Sequence, residues 1–262
     1  MAAHPDLLVI KGSCNATSGV GDAYLPFREA LGMLTGDVES RWRAGLVSQD
    51  HATRLWASLP RILPILVRHG PHLVDSLAQG RSIVSHAEGA GLSDAAWMSE
   101  LRTLSHVDAG RRIEQRALFQ QVTNVLRGVS LEQAIILLLD DLQWADRGSI
   151  SLLFHLGRRL GGSRILILGA YRPEEVMIAV QPGKQNELHP LIKVLEEFRR
   201  QFGNAWIDLR QADENEGRAF VDALVDTEAN RLDDNFRQAL FEQTRGYPLF
   251  TVELLHDLQA RG

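Results

Sequence analysis

One cysteine, Cys14, and three lysines, Lys11, Lys184 and Lys193, are all that 262 residues contain of either type. A single thiol excludes an internal disulfide framework and a multi-cysteine zinc site, and it fits a reducing compartment. No apolar run reaches the roughly 18 residues that read as a membrane-spanning helix. The opening M-A-A-H-P-D-L-L lacks the basic and apolar stretches of a secretory signal. An excess of positive charge is missing as well: 28 basic against 33 acidic residues, a net charge of −5, give no global drive toward nucleic acid or anionic membrane. These absences predict a cytoplasmic chain with no membrane partner and no direct nucleic-acid site. With 45% hydrophobic residues the chain can bury one large core or two modest ones.

Among the features present, the run Ile135 to Asp146, I-I-L-L-L-D-D-L-Q-W-A-D, is the most informative. A strand apolar at every position is buried on both faces, as in a parallel sheet covered by helices. Asp140 and Asp141 then stand at its carboxyl end, the edge where open α/β sheets bind ligands. Two further apolar runs read as strands, Leu7 to Lys11 and Arg164 to Ala170, and a shorter one spans Ala205 to Leu209. Helical spacing follows Pro26 in Phe27, Ala30, Leu31 and Leu34, and recurs over Ser149 to Leu160 and Leu188 to Gln201. Further helices are expected over Asp213 to Asp226, over Asp233 to Thr244 and after Pro248. Between residues 36 and 128 the pattern is helical. It is punctuated at Pro60, Pro64, Gly70-Pro71, Gly80, the stretch Gly89 to Gly91 and Gly110 into short helices and a longer one from Arg111 to Arg127. Strands alternating with helices predict a three-layer α/β/α sandwich around a parallel sheet.

The paired aspartates have two readings. They could form a solvated strand-to-helix turn, with Asp146 capping the next helix, and that account suits Asp146. Asp140 ends an apolar run with no cation nearby in sequence, and a buried unpaired carboxylate is costly unless an ion compensates it. An acid at such a strand end can hold Mg²⁺ beside terminal phosphates, and its neighbour can polarise an attacking water. Arg172, after the next strand, could sense a terminal phosphate or pair with Glu174, Glu175 or the aspartates. Gly246 and Pro248 carry a weaker signal still, since Gly-x-Pro before a helix is an ordinary turn and helix start. Arg111, Arg112 and Arg116 lack interleaved aromatics and read as a solvated helix face.

The order I-I-L-L-L-D-D-L-Q-W-A-D, R-I-L-I-L-G-A-Y-R-P, T-R-G-Y-P-L-F-T-V-E-L-L resembles the STAND class of AAA-like P-loop ATPases. More narrowly, it is similar to the origin-recognition-like ATPase module of bacterial signalling and transcription-regulating proteins. The resemblance implies that Asp140 and Asp141 are the Walker B acids, Asp140 toward Mg²⁺ and Asp141 toward water. It makes Arg172 a sensor of the terminal phosphate, and Gly246 and Pro248 the G-x-P of a helical subdomain that touches adenine. It also implies an α/β core over 1–210 with a helical insertion over about 36–128, and a truncated helical subdomain over 211–262. ATP and Mg²⁺ are the implied cofactors. Implied partners are effector or sensor domains in a longer chain, with nucleotide-dependent oligomerisation.

The chain departs from that family in one respect. A P-loop reads G-x-x-x-x-G-K-[ST], and here only Lys184 follows a glycine, with Gln185 after it. The family's first strand, P-loop and first helix would precede Met1, leaving unpaired strand edges that invite aggregation. We therefore expect an N-terminally incomplete ATPase module whose intact parent turns over ATP and which is itself inactive, with weak or absent nucleotide and Mg²⁺ binding. The alternative is a degenerate, non-catalytic interaction module. A Mg²⁺-dependent nuclease or phosphatase would need further acids at the same edge.

Overall fold

A computed structural model describes residues 6–16, 23–106, 114–178, 189–203, 205–209, 214–227, 230 and 232–261. Lys184, Pro182, Gly183, Arg111 and Arg112 lie outside the described residues. The chain divides into two compact units, Met1–Gly203 and Asn204–Gly262.

The first unit is α/β, built on a three-stranded sheet ordered β1 (Leu7–Ser13), β2 (Ala134–Asp140), β3 (Ile165–Gly169), every pairing parallel. Register aligns Leu8 with Ile135 and Ile165, and Ile10 with Leu137 and Ile167. Partners in register share a face, and successive residues alternate faces. On one face Leu8, Ile10, Ile135, Leu137 and Leu139 are buried, and Ile165 and Ile167 of β3 are half-buried. Each of the buried side chains contributes roughly 1.5–3 kcal/mol of burial. Helix α1 (Leu25–Leu34) crosses this face so closely that a Cβ on Gly12 would fall 1.7 Å from the Pro26 carbonyl oxygen. Phe27, Ala30, Leu31 and Leu34 are the buried stripe of α1, as their spacing predicts, with Pro26 in its first turn.

The opposite face departs from the expected sandwich. Val9, Ile136 and Leu138 are half-buried, and Leu166 and Leu168 of β3 are 51% and 41% exposed. The β2 run is therefore buried on one side and only partly covered on the other, because nothing among the described residues closes over β3. Beyond β3 no described strand continues the sheet. The segment 205–209, expected as a strand, carries no strand pairing, and Ile207 and Leu209 are each 82% exposed. Alternating apolar residues make a strand only where a neighbour takes their backbone groups.

Between β1 and β2 stand α2 (Glu39–Arg43), α3 (Gln49–His69), α4 (Leu73–Ser76), α5 (Gly80–Gly89), α6 (Met98–Leu104) and α7 (Gln115–Glu132). Helix α3 runs straight through Pro60 and Pro64, where the sequence predicts breaks. Each proline costs about 3 kcal/mol in a helix interior. The continuous buried stripe Leu55, Leu59, Ile62, Leu63, Leu66 outweighs that cost, and neither proline is on it. After β2 come a 3₁₀ turn (Leu142–Trp144) and α8 (Arg147–Arg159); α9 (Pro173–Ile178) and α10 (Pro190–Phe202) follow β3.

The second unit contains α11 (Glu214–Val225), α12 (Asp234–Thr244) and α13 (Pro248–Arg261) around a small core of Val221, Val225 and Leu240. Asp233 caps α12 by accepting the Phe236 N–H. No helix among the described residues is long and apolar enough to cross a membrane.

Candidate functional site

The central strand β2 ends in Asp140, and β1 beside it supplies what the sequence does not reveal. Lys11 Nζ lies 2.9 Å from Asp140 Oδ2, with the carboxylate side chain 36% exposed. In the pleat Lys11 is in register with Leu138 and Asp140 with Ser13, so the pair spans the two strands diagonally on the half-covered face. Asp140 is thus neither unpaired nor deeply buried, which corrects the argument that an ion must compensate it. A half-exposed pair of this kind stabilises the fold by about 0.2–1 kcal/mol.

Asp141 turns the chain off the strand in the left-handed conformation, φ 56° and ψ 40°. Aspartate tolerates that region better than most residues because its short side chain bonds nearby backbone. Here its own N–H donates to Asp140 Oδ1 at 3.0 Å, and the N–H of Trp144 donates to its carbonyl at 2.9 Å. The Asp141 carboxylate accepts Gln143 Nε2–H at 2.9 Å. Gln143, 5% exposed, accepts the Arg172 N–H through Oε1 at 3.1 Å. This side chain joins the ends of β2 and β3, and sequence reasoning passed over it. Its only signal was a polar residue inside an otherwise apolar turn.

Arg172 follows β3 at the same sheet edge as the aspartates, as its position predicts. Its guanidinium is 63% exposed, pairs with Glu175 at 3.1 Å and stands over the Trp144 ring at 5.7 Å. Of the ion pairs open at the sequence level, the one to Glu175 is present. His189, N-cap of α10, bonds the Gln143 backbone, and burial holds its imidazole below the ordinary range.

Asp146 caps α8, accepting the Ser149 N–H at 3.0 Å, and also takes the Tyr24 N–H at 3.1 Å. Capping was its predicted role. Cys14 lies behind this edge, its N–H bonded to the Asp140 carbonyl at 3.0 Å. Burial pushes its thiol up to about 12, reinforced by the charges of Asp146, Asp141, Glu29 and Asp140.

Gly246 and Pro248 belong to the second unit. Gly246 has φ +69°, and a Cβ there would lie 2.5 Å from Gly217 Cα, so glycine is required by the approach of α11 to the α12–α13 turn. Pro248, exposed, is the first residue of α13. Thr244 and Thr251 brace the turn, hydroxyl to hydroxyl at 3.0 Å.

Among the described residues no group of three or more His, Cys, Asp or Glu side chains is placed to hold a metal ion. At this edge Asp140 is engaged by Lys11. No family model, curated protein or solved structure matches the chain.

Proposed function

We propose that this chain is the N-terminally incomplete ATPase module of a STAND or AAA-like signalling or transcription-regulating protein, carrying the acidic edge of a nucleotide site whose phosphate cradle is contributed by sequence outside it. The observation that supports the reading is the junction at the carboxyl edge of the sheet. Asp140 and Asp141 end the central parallel strand, Arg172 follows the adjacent one, and Gln143 ties Asp141 to Arg172. Open parallel sheets place their ligands at this edge. The unpaired side of β3, with Leu166 and Leu168 exposed, agrees with a sheet that takes a further strand there.

A second reading, a non-catalytic interaction module with an ATPase-like sheet, is favoured by the Lys11–Asp140 pair, which fills with an ammonium the place where the first reading needs a metal. Titration calorimetry with Mg²⁺-ATP separates the two, on this chain and on a form extended upstream of Met1. Binding by the extended form alone supports the first reading, and absence of binding by both supports the second. On either reading this chain has no ATP turnover. Turnover that disappears in Asp141→Asn would refute both.

A further inference from the structure

The outer groove between α7 and α8 carries a charge pattern that neither reading of the sheet edge uses. It encloses about 690 Å³ and is lined by Arg127, Ser151, Phe154, His155, Arg158 and Arg159. Helix α8, thirteen residues long, contains three arginines and a histidine and no acid, and α7 contains a single one, Glu132. In a chain whose net charge is −5, this is a local reversal of sign. The guanidiniums of Arg127, Arg158 and Arg159 are exposed, and among the described residues none of these three has an ion-pair partner.

One of them is held in place before any ligand arrives. Arg158 stands over the Phe154 ring at 5.5 Å, and Phe154 in turn stacks on Phe198 at 6.4 Å. Stacking fixes the plane of a guanidinium and leaves its N–H edge free to donate, which lowers the ordering cost of binding. The field of Arg159 is felt within the groove, where it acts with burial to hold His155 below the ordinary imidazole range. The buried Nε2 of His155 has no hydrogen-bond partner. Arg158 and Arg159 lie in the last turn of α8 and so also offset its dipole, but Arg127, five residues before the end of α7, is not placed for that role.

We propose that this groove binds phosphate, with Arg127, Arg158 and Arg159 supplying the charge and bidentate donors. A doubly charged group with three acceptor oxygens matches several forked donors better than a single carboxylate does. The phosphate can belong to a free small molecule or to a nucleic-acid backbone. The site is independent of the proposed nucleotide edge.

The test is calorimetric and NMR titration of the full chain at low salt with pyrophosphate, a mixed-sequence single-stranded oligonucleotide and polyglutamate. Arginine Nε–H signals are followed throughout. Pyrophosphate should move the Arg127, Arg158 and Arg159 signals. The pair Arg158→Gln/Arg159→Gln, and separately Arg127→Gln, should weaken binding by at least about tenfold, while Arg102→Gln, at an ion pair that belongs to neither site, leaves it unchanged. Lysine at 158 and 159 keeps the charge but loses the fork, and should give an intermediate affinity. An oligonucleotide that binds more tightly than pyrophosphate and shares its sensitivity to the groove variants identifies a polymer backbone as the source. The proposal is overturned by absence of pyrophosphate binding, by binding unaffected in the groove variants, or by polyglutamate binding as tightly. Loss of binding in Arg172→Gln alone would also overturn it and would place the anion at the sheet edge. That last result separates this site from any nucleotide affinity measured in the calorimetry above.

Discussion

Cys14 is surrounded by carboxylates rather than cations, the reverse of what activates a thiol. With its pKa raised to about 12 by burial and by Asp146, Asp141, Glu29 and Asp140, the native protein should resist iodoacetamide at pH 8 and react fully once denatured. Rapid native alkylation would show that the side chain is accessible. His51 makes a second residue-scale case. It is buried, its Nε2 bonds the Val9 carbonyl at 2.7 Å along the outer edge of β1, and burial lowers its pKa from 6.5. The unfolded chain therefore binds more protons than the native one below pH 6.5, so stability present above that pH is lost as pH falls through 6.5 toward the native value. The melting temperature of His51→Gln should fall less between pH 8 and pH 5 than that of the wild type. Parallel curves would remove His51 from the account. Asp141 adds a point about design of variants: asparagine tolerates the left-handed region as aspartate does, so Asp141→Asn changes the charge with little backbone cost.

At the scale of elements, the contact of β1 with α1 is made through backbone. Gly12→Ala places its methyl against the Pro26 carbonyl, and neither side is a flexible chain end. Strand and helix must separate, and chemical denaturation should show a loss of about 3 kcal/mol or more; a loss under about 1 kcal/mol would mean that α1 is free to shift. Elements marked by local pattern were legible in the sequence: the apolar run of β2, the stripe of α1, the Asp146 cap. What depended on distant neighbours was not. The Lys11–Asp140 pair exists because β1 and β2 share a register across more than a hundred residues. The passage of α3 through two prolines depends on a core assembled by other helices, and the fate of 205–209 on whether a strand lies beside it. Composition also could not show that only one face of β2 would be fully covered, since leucine at every position fits either outcome. Of the candidate site, the acids and Arg172 could be placed at one edge from strand ends alone, whereas Gln143 became visible only through its partners.

For the molecule as a whole, the two units differ in how much core each commands. The sheet unit buries a continuous cluster from Leu8 to Val194, while the C-terminal unit relies on Val221, Val225 and Leu240 with a few half-buried neighbours. A unit of that size is near the lower limit for folding unaided. Gly246→Ala, strained at φ +69° and obstructed by Gly217, should lower the melting of the C-terminal helices and leave the sheet unit's transition in place. Calorimetry resolving a single transition that shifts as one would contradict this division.

The pairing of Leu7–Ser13 with Ala134–Asp140 also sets a schedule for synthesis. At ribosomal rates of about 5–20 residues per second, β1 emerges on the order of ten seconds before β2 exists to receive it. Throughout that interval α1 and the helices between it and β2 can already pack against β1, whose pairing with β2 comes only afterwards.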